Sequence, residues 1–185
     1  MLKLVSRVFL GLLLIVIGGA IGFTVAKLLR ADDHATVTTV YEDWRLTCPP
    51  VGQQSCHADE ELVDVRTGAA MARISIVGRP GERDATITLP HNLLIPPGIA
   101  LKVGNDAAQV FPYDYCDRIG CIVPIRIAAD GESKLRHAEH GSITVVDSQN
   151  KLAVIPFSLQ GIGDALDALD RAESARAHWW QKILS

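Results

Sequence analysis

The first 31 residues of this 185-residue chain contain no acidic side chain, and all 21 aspartates and glutamates come after them. Four of the 18 lysines and arginines (Lys3, Arg7, Lys27 and Arg30) fall in that acid-free stretch. The remainder therefore holds 14 basic against 21 acidic residues, a net charge of −7. Nucleic-acid binding rests on a basic patch that neutralises phosphates. A surface this acidic excludes it, and excludes broad adhesion to anionic lipid as well. Signatures of catalysis are also missing. No serine sits in a Gly-x-Ser-x-Gly elbow. There is no phosphate-cradling loop with its lysine and no Cys-x-x-Cys redox pair. The chain is expected to have no catalytic residues, no metal and no cofactor, and not to be an enzyme.

What is there begins with one apolar run. Residues 8–26 are 19 apolar or small residues without a charge. As a helix they span roughly 28 Å, close to a hydrocarbon core of about 30 Å. A cleaved signal peptide has an apolar stretch of only about 7–15 residues, so residues 1–30 are expected to be a retained transmembrane anchor. The alternative is cleavage after Ala26, because Thr24-Val25-Ala26 offers small residues. Gly18 and Gly22, in G-x-x-x-G spacing, give the run a small-residue face for another helix.

Four cysteines follow, Cys48 with Cys56 and Cys116 with Cys121. Stable disulfides need an oxidising compartment. The region after the apolar run is therefore expected in the periplasm, tethered to the inner membrane by a single span. About 155 residues are enough for one domain with its own core, so the cysteines reinforce the fold rather than carry it. Four cysteines allow three pairings. Chain entropy alone gives about 2–3 kcal/mol for each local loop and about 4.4 kcal/mol for long-range pairing, so it does not choose. Spacing favours the local pairs, because Pro49-Pro50 and Gly52 bend the first loop and Gly120 permits a tight second one. Metal binding fits C-x7-C and C-x4-C poorly.

After a polar linker at 31–36, short β-rich runs recur at 36–41, 44–48, 62–66, 71–77, 85–89, 99–103, 122–127, 142–146 and 152–157. Arg73-Ile74-Ser75-Ile76 and Thr86-Ile87-Thr88-Leu89 alternate with the period of two of a half-buried strand. Turn chemistry lies between the runs, at Arg79-Pro80-Gly81, Pro96-Pro97-Gly98 and Asp130-Gly131. Strands with regular punctuation and no intervening helix predict an antiparallel sandwich or barrel over 37–160. From Ile162 the apolar spacing becomes helical, predicting a C-terminal helix over 164–183 within a terminal segment 161–185, packed through Leu166 and Leu169. It ends in Trp179 and Trp180 beside Lys182, a pattern suited equally to a membrane or partner interface and to capping the sandwich.

Two further clusters are candidates. His137-Ala-Glu-His140 has the spacing of a metal pair but no third ligand, and is read as a solvated loop. Asp59-Glu60-Glu61 with Asp64 is read as exposed charge.

Taken together, Trp44-Arg-Leu-Thr-Cys48, Cys56, a Pro-Pro-Gly turn, Tyr115-Cys116-Asp-Arg-Ile-Gly120-Cys121 and Ile155-Pro-Phe-Ser158-Leu159-Gln-Gly161 form an ordered set. The chain resembles the bacterial invasion-associated locus B family over most of residues 41–170. The resemblance implies an exported, disulfide-bonded, immunoglobulin-like β-sandwich with no established catalytic residues, and some members are associated with host-cell invasion. It departs from the pattern in Ile162, where an aromatic is usual, in the anchor-like first segment and in the Trp-containing tail. The resulting expectation is a non-enzymatic, membrane-anchored periplasmic protein that binds another membrane or periplasmic protein and touches the bilayer through its first helix. The alternatives are a secreted host-interaction factor and a small-molecule or metal-binding module using His137 and His140.

Overall fold

In the computed structural model the described residues are 35–51 and 53–177. The expected anchor with Gly18 and Gly22 lies outside them, as do Trp179 and Trp180. Among the described residues no helix is long and apolar enough to cross a membrane. Compactness separates the chain into Met1–Thr36 with Pro49–Gln53, and Val37–Cys48 with Gln54–Ser185. In the first unit, the Gln53 N–H donates to the Pro50 carbonyl at 3.2 Å. The second unit contains all the strands and helices described below.

Strands β1 (Val37–Tyr41), β2 (Trp44–Cys48), β3 (His57–Val63), β4 (Ala70–Arg79) and β5 (Glu82–Leu89) form an antiparallel meander. Strands β8 (Tyr115–Cys116) and β9 (Cys121–Ala128) extend it to a seven-stranded sheet in the order β1-β2-β3-β4-β5-β9-β8. A second sheet has the order β11-β10-β6-β7, built from β6 (Ile99–Val103), β7 (Gln109–Phe111), β10 (His140–Val146) and β11 (Leu152–Ser158). The fold is thus mainly β and antiparallel, as the alternation predicts.

Period-two burial builds one core from both sheets. Ile74 and Ile76 on β4, Ile87 and Leu89 on β5, and Val123 and Ile125 on β9 meet Ile99, Ile143, Ile155 and Phe157 from the smaller sheet. Pro124 is tolerated in β9 because the pairing with β8 goes no further than Tyr115 opposite Ile122, leaving the rest of β9 as an edge.

Two features correct the sequence reading. A helix intervenes, α1 (Ala129–His137), where Asp130-Gly131 reads as a turn and His137 as a loop residue. Its only large apolar side chain is Leu135, so it has no 3.6-residue stripe to reveal it. Polar contacts hold it instead. Strand β3 also begins earlier than its apolar residues suggest, and takes in the acidic cluster.

The second helix, α2 (Ile162–Ala177), has Asp164 in its first turn and Arg176 in its last, matching the helix dipole. It packs on β1, β2 and β3. Leu166 and Leu169 are fully buried as expected, each contributing about 1.5–3 kcal/mol of apolar burial. Gly161, just before it, has φ +81°, and a Cβ there would collide with the Tyr41 carbonyl oxygen. The Ser-Leu-x-Gly element therefore ends in glycine because β1 passes directly against the start of the helix.

Candidate functional site

The cysteines join as two local staples, Cys48–Cys56 and Cys116–Cys121. The second closes the β8–β9 hairpin, where Cys116 pairs with Cys121 and Tyr115 with Ile122. Within it, Asp117 Oδ1 accepts the N–H groups of Ile119 at 2.8 Å and Gly120 at 3.2 Å. A Cβ on Gly120 would strike the Leu89 carbonyl, so the Gly-Cys ending follows from the close passage of β5. Both staples are structural: they fix chain ends and leave no free thiol among the described residues.

Half of the acidic cluster is not exposed charge: Glu61 is exposed and Asp64 partly so, but Asp59 and Glu60 are buried on opposite faces of the seven-stranded sheet. Asp59 is 1% exposed on the outer face, ringed by Arg73 at 3.4 Å, His57 at 3.7 Å and Arg45 at 3.9 Å. Glu60 turns inward and is 6% exposed. Its Oε1 accepts the Ser158 N–H at 3.1 Å, while its Oε2 is buried without a hydrogen-bond partner among the described residues. Burial pushes its pKa up, the Ser158 hydrogen bond opposes this, and nearby Asp43 adds to it, leaving it at about 7. Trp44 Nε1 donates to the Ser158 carbonyl at 3.1 Å, so one residue of β11 is held from both β2 and β3.

A buried ion network fastens the helices. Arg83, fully buried on β5, meets Glu132 of α1 at 2.9 Å and Asp170 of α2 at 2.8 Å. Arg136 of α1 bonds Glu132 at 2.9 Å and Asp167 of α2 at 2.8 Å. Burial alone would raise the Glu132 pKa. The hydrogen bonds from Arg83, the Gly81 N–H and Arg136 outweigh it and hold it at about 2. Every charge in this network is paired, which suits support of the fold rather than chemistry on a substrate.

Two further features have no such internal purpose. The first is the outer face of the four-stranded sheet. Register places Val154, Thr144, Ala100 and Val110 in one row across all four strands, with Leu152 beside Val146 in the next. Leu152 is 75%, Val110 68% and Val154 63% exposed. The opposite outer face, on the seven-stranded sheet, carries Arg45, Asp59, Arg73, Asp84 and Arg126 in ion pairs. The outer face of the smaller sheet is thus the less charged of the two, with Ser142, Lys102 and His140 beside the apolar side chains, and exposed apolar clusters of this kind mark interaction surfaces. The sequence contains this signal at Leu152-Ala-Val154, but only the pairing register shows that the residues share a face.

The second is a cavity of about 300 Å³ between the sheets. Ile74, Ile76, Ala85, Ile87, Ile125 and Ile127 line it from one sheet, and Leu101, Val103, Phe111 and Phe157 from the other. Its polar lining residues are Asp106, Gln109, Arg126, Asp130 and Lys134. Protein interiors are otherwise packed with few voids larger than a water molecule.

His137 and His140, the metal-pair candidates, end α1 and begin β10 respectively. Nδ1 of His137 lies 2.6 Å from the Ser133 carbonyl oxygen. Among the described residues no three His, Cys, Asp or Glu side chains are grouped to hold a metal.

Comparison with known proteins was made on both sequence and structure. No curated protein matches by sequence. Among solved structures, the crystal structure of invasion associated protein B from Bartonella henselae is similar, with a TM-score of 0.67 and 22% identity. The match covers 75% of this chain and 99% of that one. At that identity the likeness concerns the fold. The family profile of the invasion associated locus B protein matches residues 44–170, a span that contains Trp44, both cysteine pairs and Gly161. With both signature glycines explained by close backbone contacts and both staples in place, the chain belongs to the invasion associated locus B (IalB) family.

Proposed function

We propose that this protein is a non-enzymatic accessory protein of the inner membrane, anchored by residues 1–30. Its sandwich lies in the periplasm and binds another protein through the outer face of the four-stranded sheet. The observation that carries this reading is the uncharged row Val154, Thr144, Ala100 and Val110, which runs from one edge strand to the other and exposes both its valines. Exposed apolar area of this kind is a liability in a monomer and an asset in a complex. The immunoglobulin-like arrangement implied by the family resemblance fits here as a sandwich that offers one sheet face to a partner.

The test places a photocrosslinking amino acid at Val110 in the full-length chain and irradiates native membranes. A discrete crosslinked protein is expected, and the double variant Leu152→Glu/Val154→Glu should abolish it. Both sites are exposed, so thermal stability should move by no more than about 0.5 kcal/mol. Crosslinks that persist in the double variant, or their absence in the parent, overturn the reading.

The family's name favours a second reading, a secreted invasion-associated factor. It requires cleavage after Ala26, and the intact mass of the mature protein distinguishes the two.

A further inference from the structure

We infer that the cavity between the sheets, together with the polar groove beyond its rim, binds a single-chain amphiphile with an uncharged, hydroxyl-rich head. The two spaces adjoin: Val103, Asp106 and Lys134 line both. One side of that boundary is apolar. Its walls are isoleucine, leucine, valine and phenylalanine side chains, with Trp44 also lining it. An apolar cavity of about 150 Å³ accommodates benzene, so 300 Å³ has room for a chain of roughly ten to twelve carbons. Ligand sites of this class are apolar pockets with a few polar groups where orientation is set.

The other side of the boundary is polar. The groove, about 540 Å³, is lined by Asn105, Asp106, Lys134, His137, Glu139 and His140. These side chains offer both hydrogen-bond donors and acceptors. Their charge argues against an anionic head. Lys134 is already bound to Asp106 at 2.8 Å, and Asp130, one helical turn before it, lines the same rim. A carboxylate arriving there would meet Asp106, Asp130 and Glu139, while the two cations at the rim, Lys134 and Arg126, are already paired with Asp106 and Asp84. A permanently cationic head would be repelled by Lys134 and Arg126 at the same rim and, having no acceptor, could not use the donors of Asn105 and Gln109. Hydroxyl groups meet neither obstacle, because each hydroxyl both donates and accepts. The Lys134–Asp106 pair is half-exposed on both sides, a geometry in which ion pairs are weak and easily opened. It lies where chain and head of such a ligand would meet.

The probe is decyl glucoside with a diazirine near the end of its chain, applied to the full-length protein in lipid nanodiscs and mapped by peptide mass spectrometry. Labelling is expected on the strands that carry Ile74, Ile87 and Ile125. Excess unlabelled decyl glucoside should suppress it, while decanoate or glucose alone should suppress it at least tenfold less effectively. Val103→Trp fills the shared boundary and should reduce labelling at least tenfold. Asp106→Ala, at an exposed position, should weaken competition severalfold without threatening the fold, and a cooperative thermal melt with the parent's far-ultraviolet circular dichroism reports that each variant has folded. Labelling that is not competed, that survives Val103→Trp in a folded variant, or that decanoate suppresses as well as the glucoside overturns the inference.

Discussion

Glu60 is the residue at which charge and packing oppose each other most directly. It stands on β3 with its carboxyl between the sheets, one oxygen satisfied by Ser158 and the other unpaired. Its pKa is raised from 4.5 to about 7. In the unfolded chain the carboxyl ionises near 4.5; in the folded chain it holds its proton until about 7. Its contribution to stability is therefore full below pH 4.5 and is lost as pH rises towards 7, a difference of about 3 kcal/mol. Glu60→Gln keeps the acceptor for Ser158 and removes the titration. Urea unfolding should give similar stabilities for parent and variant near pH 5, and a variant more stable by about 2–3 kcal/mol at pH 8. Parallel pH profiles for the two proteins would refute the assignment. The sequence shows the acidic run but not its distribution, because alternation in a strand sends Asp59 and Glu60 to opposite faces. The arginines and histidine that cover Asp59 lie on β2, β4 and its own strand. Gly161 is the converse case. Its identity is visible in the motif, yet its reason, the Tyr41 carbonyl, lies 120 residues away in the chain.

Among the elements, the helices show how much depends on polar contacts. Helix α2 announces itself by apolar spacing, and Leu166 and Leu169 are buried as that spacing requires. Helix α1 offers no such stripe, and its stability rests on Glu132, which is tied to Arg83, Gly81 and Arg136. Strands β7 and β8, three and two residues long, are likewise too short for any periodicity to register. Replacing Arg83 by methionine keeps much of the volume but takes the central partner from the buried Glu132, which retains Arg136, and from the partly buried Asp170. A loss of about 3–5 kcal/mol is expected, the range for breaking a buried pair from one side. A loss below about 1 kcal/mol in urea would mean that the network is decorative. The same network sets the acid limit. Because the Glu132 pKa falls from 4.5 to about 2, its contribution, about 3 kcal/mol, is present above pH 4.5 and lost as pH falls towards 2. Glu132→Gln should therefore be less stable than the parent at pH 5, with the gap closing near pH 2. A gap that stays constant down to pH 2 would count against this assignment.

At the scale of the molecule, the sequence establishes a β-rich chain with local staples, but not how the strands divide between sheets. That division depends on which strands pair, and β6, which neighbours β5 in sequence, pairs instead with β10 and β7. It also makes the outer faces unequal, since only pairing assembles Val154, Thr144, Ala100 and Val110 into a row. The disulfides play a limited part at this scale. The core draws on both sheets and α2 through residues such as Ile87, Ile143 and Leu166. A core of this kind should fold without either staple. Cys116–Cys121 encloses a loop of six residues, for which chain entropy predicts about 2 kcal/mol. Serine suits the exposed Cys116 and alanine the buried Cys121, where a hydroxyl would lack a partner. The double variant should keep the far-ultraviolet circular dichroism of the parent and melt about 4–8 °C lower, the shift expected of about 2 kcal/mol in a chain of this size. The hairpin would still have the Asp117 turn and the Cβ-free approach of Gly120 to Leu89 to hold its register. An unfolded double variant would mean instead that this staple, and not the shared core, decides whether the sandwich forms.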